Sequence, residues 1–105
     1  EVAGKHCLMV DDIIDTAGTL VKGAEALLAN GARKVSACAT HGVLSGPAVE
    51  RITNSRIEEV VITNSIPLSE PAAACGRIRA MSVAPLLARA IQSIHEASSV
   101  STLFV

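Results

Sequence analysis

The chain has 105 residues, of which half are hydrophobic, and a formal net charge of −1. A chain of this length supports one hydrophobic core, so we expect a single domain unit over residues 1–105. The near-neutral charge and the presence of a single aromatic residue, Phe104, argue against a nucleic-acid-binding groove. No apolar run approaches the ~18 residues of a membrane span, and no secretory leader is recognisable.

The three cysteines indicate a reducing compartment. Cys7, Cys38 and Cys75 are far apart and form no C-x-x-C pair, so neither a zinc site nor a redox pair is indicated. We interpret them as small buried side chains of a cytoplasmic protein.

The chain begins with a strand followed by a helix. The apolar run Cys7-Leu8-Met9-Val10 is bounded by carboxylates, which is typical of a short buried strand that starts near His6. Apolar residues at helical spacing then predict a helix over Leu20–Ala29, and Asn30-Gly31 is a typical helix stop. The segment between them, Val10 to Thr19, is therefore predicted to be a strand-to-helix turn.

Strands and helices alternate in the rest of the chain. Further strands are predicted at Val35–Ala39, Glu59–Thr63 and Ile78–Val83. Helices are predicted to open at Gly46-Pro47 and Ala84-Pro85, because proline is favoured at the first helical position. The stretch Asn64–Arg77 is predicted to be a long loop with a helical turn. This alternation predicts an α/β fold of three α/β/α layers, with a mainly parallel sheet covered on both faces.

The turn before the first helix has the chemistry of an anion site. The first amides of a helix lack intrahelical acceptors and carry a partial positive charge, so Asp15 to Thr19 can cradle a phosphate. Gly18 allows close approach of the backbone, and the hydroxyls of Thr16 and Thr19 add donors. A methyl group at Ala17 is compatible with such a loop if the φ of this residue is negative.

Two carboxylates precede this phosphate cradle. Ionised Asp11 and Asp12 accept hydrogen bonds, and a vicinal diol offers two hydroxyl donors, each such bond contributing roughly 1.5–3 kcal/mol. Because carboxylates repel a phosphate, they suit the other end of a ligand, as in a sugar phosphate. Taken without the rest of the pattern, such a pair would more often hold Mg²⁺ or only solvate a sheet edge.

Two other polar residues near predicted strand ends have simpler interpretations. His41 follows a strand directly and could face the site, but we expect it to be a loop histidine satisfied by backbone groups. Ser45 lies close to a helix start, where a capping hydroxyl is the simplest role.

Four blocks of the sequence resemble phosphoribosyl-diphosphate synthetases, also called ribose-phosphate diphosphokinases. They follow one another in the order of that family and are Val10 to Thr19, Ala39 to Ala48, Val60 to Pro67, and Ser99 to Phe104. Type I phosphoribosyltransferases share only the first block. The resemblance implies a phosphoribosyltransferase-like fold and identifies residues 1–105 with the C-terminal portion of a longer synthetase, in keeping with a chain that begins at Glu1.

The resemblance also implies a reaction and a set of site residues. Synthetases transfer diphosphate from Mg-ATP to the 1-hydroxyl of ribose 5-phosphate. The residues matching the family's ribose 5-phosphate site are Asp11, Asp12, Asp15, Thr16, Ala17, Gly18 and Thr19. Asp11 and Asp12 also match positions that hold Mg²⁺ through water. The family's catalytic Lys and Arg and much of its ATP pocket lie upstream, so the resemblance implies no catalytic residue here and an inactive isolated chain.

The tail of the chain has a separate implied role. Ser99, Ser101 and Phe104 match residues that line a site for ADP or phosphate between synthetase subunits. The resemblance therefore implies an allosteric contact and a homo-oligomer, which is a hexamer in that family.

Two alternative functions remain open from the sequence. A nucleobase phosphoribosyltransferase would use the same loop, although those enzymes lack the block Ala39 to Ala48 and the tail. A non-catalytic synthetase-associated regulatory subunit would keep the fold without the loop chemistry, whereas Thr16, Gly18 and Thr19 are intact here.

Overall fold

The fold is described by a computed structural model that covers residues 1–97 and residue 103. Four strands alternate with four helices along the chain. The elements are β1 (His6–Ile14), α1 (Gly18–Ala29), β2 (Lys34–Gly42), α2 (Ala48–Thr53), β3 (Val60–Thr63), α3 (Glu70–Ala74), β4 (Ile78–Met81) and α4 (Ala84–His95).

The strands form one parallel sheet in the order β1-β2-β3-β4. Each crossover contains a helix, and right-handed crossovers between sequential neighbours place α1, α2 and α3 on the same face of the sheet. The predicted α/β class with a parallel sheet is confirmed. All four carboxyl strand ends lie at one edge, where the β1–α1 and β2–α2 loops meet.

The core lies between the sheet and these helices. Alternate strand residues are buried, with Val35, Val60 and Ile62 at 1% exposure or less. The facing helix residues are mainly small, and the fully buried or nearly buried ones are Ala24, Ala48, Ile52 and Ala72. Small side chains let the helix backbones approach the strands closely, which explains how the core is filled although no aromatic residue is buried among the described ones.

The opposite face of the sheet is exposed in this chain. Leu8 and Val10 on β1 are 61% and 74% exposed, although both are apolar. Helix α4 has an apolar stripe at helical spacing but buries none of its residues. The alternation predicts that helices cover both faces of the sheet. Within residues 1–97, helices cover only the face that packs against α1, α2 and α3.

Three strand ends differ from the prediction by two residues or more, and one of them is the end of β2, which continues past the predicted Ala39 to Gly42. β1 continues through the acidic pair to Ile14, because its pairing with β2 extends from His6 opposite Lys34 to Ile14 opposite Gly42. Backbone pairing at the centre of a ladder overrides the low strand propensity of Asp. β4 ends at Met81, before the predicted Val83, since Val83 is the N-cap residue of α4.

The predicted loop over residues 64–77 contains one short helix, α3. The Ser69 hydroxyl caps its start by accepting from the Ala72 amide at 3.3 Å. Cys7, Cys38 and Cys75 are free and half-buried, as small core-edge side chains. Among the described helices none has both the length and the apolar character that crossing a bilayer requires.

We expect Gly42→Ala to destabilise the chain by about 1–3 kcal/mol because of overpacking. A Cβ at Gly42 would lie 2.3 Å from Ile62 Cδ1 and 3.2 Å from Ile62 Cβ, and Ile62 is 1% exposed and cannot move aside. Gly76→Ala is the matched control, because a Cβ there meets nothing within 4 Å. Urea denaturation measures the free energy of unfolding, and equal values for the two variants would contradict this packing.

Candidate functional site

The loop between β1 and α1 lines a cavity of about 330 Å³ at the carboxyl edge of the sheet. A cavity of this volume accommodates a small ligand. The predicted ribose 5-phosphate residues that line it are Asp11, Asp15, Thr16, Ala17, Gly18 and Thr19. Asp12 is not among the lining residues, and it lies beside Asp11, to whose carboxylate its amide donates.

Ala17 has a left-handed backbone conformation, with φ 64° and ψ 8°. The condition under which a methyl group was judged compatible with the loop, a negative φ, is therefore not met. The chain has to turn from the end of β1 into α1 within three residues, and a left-handed residue at the N-cap makes this turn. For a residue with a side chain this conformation costs about 1–2 kcal/mol. The Ala17 methyl is nevertheless buried, with 5% exposure, so packing offsets part of the cost.

The amides that open α1 are available to a ligand. Helix geometry leaves the N–H groups of Gly18, Thr19 and Leu20 without intrahelical acceptors. Ala17 has no side-chain acceptor, and no side chain caps this helix. The first intrahelical bond runs from the Val21 amide to the Ala17 carbonyl at 3.0 Å. These N–H groups and the positive end of the helix dipole favour an anion.

Asp15 is held by the loop that follows β2. Its backbone carbonyl accepts from the Ser45 amide at 2.9 Å, and its carboxylate accepts a short hydrogen bond from the Ser45 hydroxyl. The prediction of Ser45 as a helix cap was wrong, because Pro47 is the N-cap of α2 and no side chain caps it. The hydroxyl joins two loops that are 30 residues apart in sequence, which no local pattern indicates.

Asp11 and Asp12 lie next to each other on the exposed part of β1. Hydrogen bonding with the Asp12 side chain, together with donation from the Asp12 amide at 2.7 Å, lowers the pKa of Asp11 below its usual range. Asp11 is therefore an ionised acceptor at neutral pH, which suits a hydroxyl donor at the mouth of the cavity.

His41 lies within β2 and points to a side-chain partner. Its Nδ1 is 2.8 Å from the hydroxyl oxygen of Ser65. The expectation of a loop histidine satisfied by backbone groups was wrong, because β2 extends to Gly42 and brings His41 beside the loop that follows β3. The Ser65 hydroxyl also donates to the Thr40 carbonyl oxygen at 3.3 Å, so Ser65 contacts two neighbouring residues of β2 at this sheet edge.

Arg51 is a site residue that the sequence did not indicate. It lies on α2, and its Nη1 donates to the Thr16 carbonyl at 3.1 Å. The contact joins residues 35 positions apart, so no motif spacing could have revealed it.

The carboxylates fit a hydrated cation better than a closed metal cage. No group of three or more His, Cys, Asp or Glu side chains in the described part of the chain could hold a metal ion. Mg²⁺ is commonly bound by one or two carboxylates together with water and substrate oxygens, and Asp11 and Asp12 provide that number. Ser99, Ser101 and Phe104, predicted to be allosteric, lie outside the described residues.

The fold and the loop together define a class of protein. This is a parallel α/β protein whose first strand-to-helix turn offers backbone amides to an anion, with carboxylates beside them, at the edge where such sheets bind ligands.

Comparisons with known proteins narrow this class to one family. The family model described as "Phosphoribosyl synthetase-associated domain" matches residues 1–105, and the chain belongs to this family. Curated ribose-phosphate pyrophosphokinases are similar over almost all of the chain. The protein from Caldanaerobacter subterraneus is 61% identical over 104 residues, covering 99% of this chain and 33% of its own length. The protein from Bacillus subtilis is 57% identical, covering 98% and 32%.

A solved structure agrees with these matches. The crystal structure of phosphoribosylpyrophosphate synthetase from Mycobacterium smegmatis superposes with a TM-score of 0.86 at 40% identity, covering 92% of this chain and 32% of that one. The chain spans about a third of the length of the relatives it matches.

We expect Ser45→Ala to loosen the β1–α1 turn. Removing the donor to the Asp15 carboxylate should raise the amide exchange rate of Val21 about fivefold, because a hydrogen bond of this kind contributes ~1 kcal/mol. Hydrogen–deuterium exchange measures the rate. Ser36→Ala is the control, since Ser36 pairs with His6 at the opposite end of the sheet. An unchanged Val21 rate in Ser45→Ala would show that the hydroxyl does not hold the turn.

Proposed function

We propose that this chain is the C-terminal third of a ribose-phosphate pyrophosphokinase and carries its ribose 5-phosphate site. The observation that carries the proposal is the uncapped start of α1 in a cavity that Asp11 also lines. The 61% identity to a curated pyrophosphokinase over 104 residues supports it independently of the geometry.

The ligand is oriented by the opposite charges at the two ends of the site. The amides of Gly18 and Thr19, with the Thr16 and Thr19 hydroxyls, take the 5-phosphate, because they are donors at a positive helix end. Asp11 and Asp12 take the ribose hydroxyls as acceptors. Phosphate and carboxylates repel each other, so the sugar binds in one direction, with its anomeric 1-hydroxyl left free to react.

The proposed reaction is a diphosphoryl transfer. The 1-hydroxyl oxygen attacks the β-phosphorus of ATP, the bond from this phosphorus to the oxygen shared with the α-phosphate breaks, AMP leaves, and the hydroxyl proton is released. Residues of this chain fix the sugar so that the 1-hydroxyl can approach in line, which supplies the orientation part of the rate enhancement. Mg²⁺, when bound, neutralises charge on the phosphoryl oxygens, with Asp11 and Asp12 as its ligands through water.

The rest of the proposed enzyme lies outside this chain. Much of the ATP pocket and the cations that stabilise the transferring group belong to the upstream two thirds in our proposal. Ser99, Ser101 and Phe104 are proposed to line a site for ADP or phosphate between subunits of a homo-oligomer, on the basis of the family resemblance.

We expect the full-length enzyme to convert ATP and ribose 5-phosphate into AMP and 5-phosphoribosyl 1-diphosphate. Residues 1–105 alone should form no product, because they lack the groups that act on ATP. Phosphorus NMR of the reaction mixture distinguishes the substrates from the products. Glycosyl transfer to a nucleobase without AMP formation would instead identify a phosphoribosyltransferase. Product formed by the isolated chain would refute the proposal that the groups acting on ATP lie outside residues 1–105.

We expect Asp11→Ala and Asp12→Ala in the full-length enzyme to weaken ribose 5-phosphate binding about tenfold, through loss of charge-assisted hydrogen bonds to the diol. The 2,3-dideoxy analogue should bind equally to the variants and the parent, because it has no diol. Isothermal titration calorimetry measures both affinities. Glu58→Ala is the control, since Glu58 lies at the amino end of β3 and pairs with Lys34. The same penalty for both sugars would exclude the diol role.

A further inference from the structure

Helix α2 brings a guanidinium group against the β1–α1 turn. Arg51 Nη1 donates to the Thr16 carbonyl at 3.1 Å, and a Cβ added at Gly18 would lie only 3.0 Å from the same nitrogen. Gly18 therefore leaves room for the guanidinium as well as for a ligand. The position of α2 is fixed, because Ala48 and Ile52 have 0% exposure in the core. Arg51 thus extends from a rigid support to the turn.

The contact controls the orientation of one peptide group. The Thr16 carbonyl and the Ala17 N–H belong to the same planar trans peptide and point in opposite directions. Holding the carbonyl toward Arg51 therefore holds the Ala17 N–H away from it. This peptide precedes the left-handed residue Ala17, which has φ 64° and is conformationally costly. A hydrogen bond from outside the turn stabilises a conformation that the turn alone disfavours.

Among residues 1–97, no ion pair neutralises the charge of Arg51. The salt bridges seen in residues 1–97 use Lys34, Arg56 and Arg79, and none of them includes Arg51. An exposed hydrogen bond of this kind contributes little to global stability. Its consequence is local, since it places a permanent positive charge next to the amides that open α1.

We propose that Arg51 is a positioning residue for ribose 5-phosphate: it orients the Thr16–Ala17 peptide and adds positive charge beside the phosphate cradle. This inference rests on the proposed function of the turn. It gives α2 a role in selecting the phosphorylated sugar, although none of the residues that match the family's sites lies on this helix.

The test is steady-state kinetics of Arg51 variants in the full-length enzyme. Arg51→Met should raise the KM for ribose 5-phosphate about tenfold and leave the KM for ATP within twofold, because the loss falls on one substrate. Arg51→Lys should restore at least part of the affinity, since lysine keeps a charge and one donor. Arg56→Met is the matched control, because Arg56 is also exposed but pairs with Glu25 away from the turn. Thermal unfolding checks that each variant is folded.

The outcomes separate this inference from the proposed function. Gly18→Val blocks the cradle and also displaces the Arg51 guanidinium, because a Cβ there lies 3.0 Å from Arg51 Nη1, so it should weaken ribose 5-phosphate binding at least as much as Arg51→Met does. If Gly18→Val weakens binding but Arg51→Met changes the ribose 5-phosphate KM less than twofold, the role of Arg51 is refuted and the site stands. If Arg51→Met raises both KM values equally, or if lysine restores nothing, the positioning role is also refuted. If Gly18→Val leaves binding unchanged, the proposed function itself fails.

Discussion

One backbone carbonyl joins the two loops on which the site depends. The oxygen of Ile14, the last residue of β1, accepts from the amides of Val43 and Leu44 at 3.0 and 3.1 Å. The next residue, Asp15, accepts from the Ser45 amide and hydroxyl. Three consecutive amides of the β2–α2 loop thus hold the entry to the β1–α1 turn. The turn cannot move away from β2 without breaking these bonds, so its helix-opening amides face a cavity of fixed shape.

This junction contains backbone strain on both sides. Ala17 and Leu44 both have left-handed conformations, with φ values of 64° and 51°, and both are buried. Such conformations persist only where surrounding contacts determine them, and they concentrate at functional sites. Here packing of the two side chains and the hydrogen bonds between the loops offset the cost. The result is a preorganised turn, which would reduce the entropy lost on binding of the proposed phosphate.

The two faces of the sheet differ in packing. Its inner face packs against helices that carry small residues, and its outer face leaves Leu8 and Val10 exposed. The candidate site lies at the carboxyl edge of the sheet, beside the packed face. Arg51 reaches this edge because the buried Ile52 fixes α2 against the sheet. The packing that forms the core therefore also places the Arg51 guanidinium at the turn.

Local sequence patterns determined most of the fold and the location of the candidate site. Apolar runs and helical spacing specify β2, β3, α1 and α4, and the order of Asp11 to Thr19 marks the turn that we propose to bind an anion, because these signals depend on neighbours in the chain. Tertiary structure alone decided the length of β1, the left-handed Ala17, and the contacts of Ser45 with Asp15 and of Arg51 with Thr16. The length of β1 and the two contacts arise from partners 28 to 35 residues apart, and a local pattern contains no information about which distant group will satisfy a carbonyl or a carboxylate.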